Sequence, residues 1–156
     1  MFVLTLASLI VIISYSSVFA YILEDAPNVS VKKIKNYKML FLPYPKEPIP
    51  NEDPAKLNFN VKKDDIDVYG LFASIIIKDK NLGSIVHQIP YKFYPIGDIF
   101  IDHTFTNSSE YEIFLLTKIA DDPKYSTNPL MAKFDLSVRE PKKGLLESAF
   151  DFFNLT

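Results

Sequence analysis

Leu130, Ala132, Phe134, Leu136 and Val138 alternate with Met131, Lys133, Asp135 and Ser137 along nine unbroken residues. Successive side chains of an extended chain leave opposite faces, so this run specifies a strand with one face in a core and the other in water. Leu57, Phe59 and Val61, set against Asn58, Asn60 and Lys62, repeat the same period. Slipping either strand by one residue would turn its apolar set out to solvent, so the pairing register is strongly specified.

Five further runs rich in Ile, Val, Phe and Tyr read as strands: Tyr37 to Leu42, Val68 to Lys78, Ser84 to Ile89, Asp98 to Phe105 and Tyr111 to Ile119. Several are bounded by turn-forming residues, as in Asp79-Lys80-Asn81-Leu82-Gly83 and Thr106-Asn107-Ser108-Ser109. About seven strands at this spacing predict an all-β chain, an immunoglobulin-like antiparallel β-sandwich over residues 33–139. Leu71 to Ile77 is almost wholly apolar and is expected at the centre of a sheet. Pro43, Pro45, Pro48 and Pro50 make "PYPKEPIPNEDP" a rigid connection, because proline has no N–H to give to a ladder. No internal repeat and no second domain are read.

With 48% hydrophobic and 14% aromatic residues in 156, the chain can bury a core without covalent staples. It has no cysteine, which excludes disulfide and thiolate chemistry, Cys-type zinc sites and a lipoprotein anchor, and leans toward a prokaryotic envelope. The 17 basic and 19 acidic residues leave a formal charge of -2, with the lysines spread out, so a nucleic-acid partner is not expected.

Both ends differ from the middle. Phe2 to Leu23 carries no charged side chain, and Val18-Phe19-Ala20 satisfies the small-residue rule for cleavage after Ala20. Residues 1–20 therefore read as an apolar helix, a signal peptide or an uncleaved membrane anchor, and both place the remainder outside the cytoplasm, secreted or held at the outer face of the membrane. At the other end, Leu146, Ala149, Phe150 and Phe153 recur at helical spacing, so residues 141–156 are expected to form a short amphipathic helix. It either folds back on the sandwich or faces a partner or membrane.

No glycine-rich phosphate loop, G-x-S-x-G elbow or H-E-x-x-H motif is present, and neither enzymatic activity nor a cofactor is expected. Among polar residues, the two histidines, His87 and His103, are the candidate metal ligands. On the strand phases, His103 shares a face with Ile99, Ile101 and Phe105, and His87 with Ile85 and Ile89. If they meet, Met39, Met131, Asp98 or Asp102 could complete a copper site, since imidazole and thioether suit copper. The "KIADDPKYSTNP" loop, 118–129, is long for a hairpin and offers Asp121, Asp122, Tyr125 and Asn128 to a partner. Sequons at Asn28, Asn107 and Asn154 are acceptors for glycans in an exported chain.

The blocks "NYKMLFLPYPKEP", "QIPYKFYPIGDI" and "DPKYSTNPLMAKFDLSV" resemble those of small exported single-domain proteins from archaea of the ammonia-oxidising group. More remotely, a leader followed by one sandwich is similar to the extracytoplasmic domains of copper-handling and FixH-like proteins. The likeness spans roughly residues 36–138. It implies an envelope location and an immunoglobulin-like fold, and brings no catalytic motif with it. The function expected is a non-catalytic binding or assembly module with an envelope or membrane protein as partner. The alternative is an extracytoplasmic copper carrier using His87 and His103.

Overall fold

The structure, a computed structural model, describes residues 26–140, so the leader, its cleavage position at Ala20, the helix expected over 141–156 and Asn154 lie outside the described residues. The chain is a β-sandwich of two antiparallel sheets. One sheet contains β1 (Ser30–Ile34), β2 (Tyr37–Tyr44), β3 (Ala55–Lys63), β4 (Ile66–Asp67) and β7 (Asp98–His103). The other runs in the order β6 (Ser84–Ile96), β5 (Tyr69–Asp79), β8 (Ser109–Ile119), β9 (Leu130–Val138). Pairing of β2, β3 and β7 in one sheet against β6, β5, β8 and β9 in the other follows immunoglobulin-type connectivity, with β6 added to the β5–β8–β9 sheet and β1 outside β2.

The alternating runs build the core as their period requires. Leu57, Phe59 and Val61 of β3 meet Leu130, Ala132, Phe134, Leu136 and Val138 of β9 between the sheets, all of them buried. Phe41 stacks on Phe59 at 4.9 Å, and Phe134 closes on Phe41 at 5.1 Å from the opposite sheet. At the start of β8, the Tyr111 hydroxyl donates to the Asn107 carbonyl at 3.0 Å, four residues upstream, the tyrosine corner typical of such sandwiches.

Among the described residues nine strands stand where about seven were expected. β1 (SVKKI) was missed because it is an edge strand exposed along most of its length, so no alternation marks it, and β4 is only two residues long. β6 runs on to Ile96 through Pro90 and Pro95, where the prolines had marked an end at Ile89. An edge strand tolerates proline because half of its N–H groups bond to nothing in the sheet. Likewise Pro43 lies inside β2 and not in a connection, beyond the last residue that β1 pairs, Phe41.

Asp79 ends β5. Its Oδ1 accepts from the Asn81 and Leu82 N–H groups at 2.8 and 3.1 Å and from the Ser109 hydroxyl at 2.8 Å, which ties the β5–β6 turn to β8. Burial pushes this carboxyl up, but the three donors outweigh it and hold it below the usual carboxylate range. Thr117 offers the opposite case: its hydroxyl is fully buried and has no hydrogen-bond partner. An isosteric methyl removes that unpaired group, so Thr117→Val is expected to raise stability by about 1 kcal/mol, read from the midpoint of denaturant unfolding.

Candidate functional site

His87 lies on β6 and His103 on β7, consecutive strands that belong to different sheets. β6 is the edge of one sheet, and β7 pairs only with β3 in the other, so the two edges run together along one open side of the sandwich. His103 stands opposite Ala55 in β3 and continues the inward phase of Ile99 and Ile101. His87 stands opposite the fully buried Ile77 of β5. The two imidazoles face each other across the rim, with ring centroids 4.9 Å apart and planes inclined at 33°.

A bulge aims His87. Ile77 pairs with His87 but Lys78 with Ile85, so Val86 is an extra residue in β6, and a second extra residue lies between Ile89 and Lys92. Bulges on edge strands turn side chains and break the flat edge that would recruit another chain. One consequence corrects the phase read from sequence: His87 shares the inward face with Ile89, but not with Ile85, which the bulge turns out to 56% exposure.

The surroundings of the two rings are unequal. His87 is exposed at the rim, while His103 is half-buried against Phe105, which meets it edge-on at 4.6 Å. Burial, and secondarily the charge that His87 would carry, lower the His103 pKa to about 4. In the unfolded chain the same imidazole titrates near 6.5. The fold therefore binds fewer protons than the unfolded chain between these values, and stability that is full above about pH 6.5 is lost as pH falls toward 4. Discounted for partial exposure, the loss is about 1–2 kcal/mol. It is measured as the difference in unfolding free energy between pH 7 and pH 4.5, and His103→Gln is expected to remove that component.

The four residues considered as further ligands lie elsewhere. Met39 is fully buried on β2 opposite Val61, six residues along β3 from Ala55, or roughly 20 Å away. Asp98 is at the far end of β7, where it accepts from the Asn60 amide at 2.7 Å, and burial together with Asp67 raises its pKa. Asp102 points out of the opposite face of β7, and Met131 is on the outer face of β9. Among the described residues, no three His, Asp or Glu side chains gather in a way that could hold a metal. Two imidazoles alone make up the site.

The loop 118–129 is folded by its own hydrogen bonds. Asp122 accepts from the Tyr37 hydroxyl at 2.7 Å and lies 3.7 Å from the Lys63 ammonium, while Tyr125 meets the Tyr37 ring edge-on at 5.5 Å. The hydrogen bond from Tyr37, aided by Lys63, keeps the Asp122 carboxyl below its ordinary range. Asp122 and Tyr125 thus anchor the loop to β2. Asp121 borders a cavity of about 330 Å³ at this end of the sandwich, and Asn128 is exposed. Of the sequons within the described residues, Asn28 and Asn107 are both exposed.

No described protein family matches the sequence, and no curated protein does. One solved structure is similar: the soluble domain of PmoD from Methylocystis sp. ATCC 49242 (Rockwell), at 16% identity and a TM-score of 0.50, over 70% of this chain and 96% of that one. The likeness is one of fold.

Proposed function

We propose that this chain is a non-catalytic extracytoplasmic module that carries a transition-metal ion between His87 and His103. One observation supports the reading above the others: the two histidines of the chain, sixteen positions apart by number and on different sheets, meet with ring centroids 4.9 Å apart. Two imidazoles that share a tetrahedral ion at about 2.0–2.1 Å have centroids roughly 5 Å apart, so the separation of the pair matches that of two ligands on one ion. Imidazole suits copper and zinc, and among divalent ions of the first row copper binds nitrogen sites most tightly. A site with two protein ligands leaves positions open. Such a site suits loading and release better than permanent storage, and its place on the rim gives a donor or acceptor protein of the envelope access to the ion.

The test is titration of the purified full chain with Cu(II), followed by calorimetry and electron paramagnetic resonance, with Zn(II) as competitor. One ion per chain is expected, with nitrogen hyperfine structure from two imidazoles. His87→Gln and His103→Gln should each weaken binding by at least about tenfold. Because His87 is exposed, its variant keeps the fold even if His103→Gln does not. Binding by the double variant within twofold of the parent chain would sink the proposal.

A further inference from the structure

The outer face of the four-stranded sheet is apolar over half its length. Register places Phe93 beside Phe72, Ile76 beside Phe114, and Leu116 beside Met131. All six point away from the core, with Phe72, Phe93 and Met131 between 42% and 57% exposed. Phe72 and Phe93 touch at 5.3 Å, and Tyr91 extends the patch beneath the Lys118 ammonium, 4.7 Å above its ring. The other half of the same face is conventional: Lys133, Lys78, Glu112, Lys80 and Asp135 form ion pairs across it. A sheet whose second face meets water is polar on that face, so a continuous aromatic patch marks a covered surface.

We propose that the occupant is the chain's own residues 141–156. Two observations agree. First, the segment offers a matching surface, since Leu146, Ala149, Phe150 and Phe153 fall on one side of a helix. Second, the connection is the right length. The described chain ends at Glu140, just past β9, an edge strand of this very sheet, and the Phe114–Lys133 row lies five residues back from Val138, about 17 Å. Residues 140–145 span up to about 20 Å, which brings a helix beginning at Leu146 onto the apolar half of the sheet. Covalent attachment raises the local concentration of the segment to the millimolar range, far above that of a competing free partner.

The chain has no cysteine, so a pair introduced by mutation reports contact without background. In the full chain, Ala149→Cys is combined with Met131→Cys on the apolar face, or with Phe100→Cys, which is 56% exposed on the outer face of the other sheet. Under mild oxidation, a disulfide within one chain is expected for the Met131 pair at least about tenfold faster than for the Phe100 pair, because bridging needs Cβ atoms within roughly 4.5 Å. Equal rates or no bridge at either position would overturn the proposal. Bridges between chains would overturn it too, and would assign the face to a second copy. Both positions on the sandwich are exposed, so neither substitution threatens folding.

Discussion

Phe134→Ala is expected to lower the free energy of unfolding by about 3–5 kcal/mol, read as a fall in the denaturant midpoint with the slope unchanged. Phe134 of β9 reaches across the core to the other sheet: its ring lies 5.1 Å from Phe41 and 6.2 Å from Phe59, which themselves stack at 4.9 Å. All three are buried to within 1%. Truncation therefore removes the transfer energy of a whole ring and leaves a cavity between two sheets. The hydrogen-bonded strands on either side cannot collapse into it, and this puts the cost at the upper end of the range for core truncations. Phe134→Leu keeps most of the volume and should cost about 1–1.5 kcal/mol. A loss of less than about 1 kcal/mol for Phe134→Ala would mean that the sheets are not packed against each other as described.

That core was legible in the sequence because it is written in period two. The alternation of 130–138 and of 57–61 named the inward residues individually, and each of those is buried. Legibility failed where physics other than one-sided burial decides. β1 is exposed along most of its length, so its apolar and polar residues carry no phase. Pro90 and Pro95 mark an end in a central strand but are permitted at an edge, and edge position is a property of the assembled sheet. Asn60 falls on the polar side of the β3 alternation yet is fully buried, because β4 and β7 bring Asp67 and Asp98 to its amide at 3.0 and 2.7 Å.

The site was only half legible for the same reason. Phase alone pointed both histidines inward, and for His103 the phase extends unbroken from Ile99. For His87 the inward direction is right but the partner residues are not, since the bulge at Val86 changes the phase between Ile85 and His87. Bulges have no reliable sequence mark. That the two strands would lie on facing sheets with their histidines level is a matter of topology, which no local pattern carries. The apolar outer face of the sheet was hidden differently: from Leu71 to Ile77 the residues on both sides of β5 are almost all apolar, which marks the strand as central, as it is between β6 and β8, but does not say what lies against its outer face.

Gly97 joins the two histidine strands, and Gly97→Ala is expected to cost about 3 kcal/mol or more and to disturb the histidine pair with it. The chain leaves one sheet at Ile96 and enters the other at Asp98, so the single residue between them sets how the edges of β6 and β7 approach. A Cβ at position 97 would stand 2.3 Å from the Val61 carbonyl oxygen and 3.3 Å from the Val61 nitrogen, both backbone atoms that cannot rotate away. Nor can the contact loosen cheaply, because the Val61 N–H donates to the Gly97 carbonyl at 3.0 Å and the Val61 carbonyl accepts from Val68 at 3.0 Å. The crossover must shift as a unit, carrying the strand that bears His103 relative to the one that bears His87. Thermal unfolding of the variant should therefore fall by on the order of 10–20 °C. At a temperature where it remains folded, Cu(II) binding should weaken by about tenfold, since chelation by two ligands depends on their separation. The control is Gly83→Ala, where no atom lies within 4 Å of the new methyl and only the left-handed backbone at φ 67° is strained. That variant should lose about 1 kcal/mol and bind metal as the parent does. Equal damage to metal binding from both glycines would show that general destabilisation, and not the crossover at Gly97, governs the site.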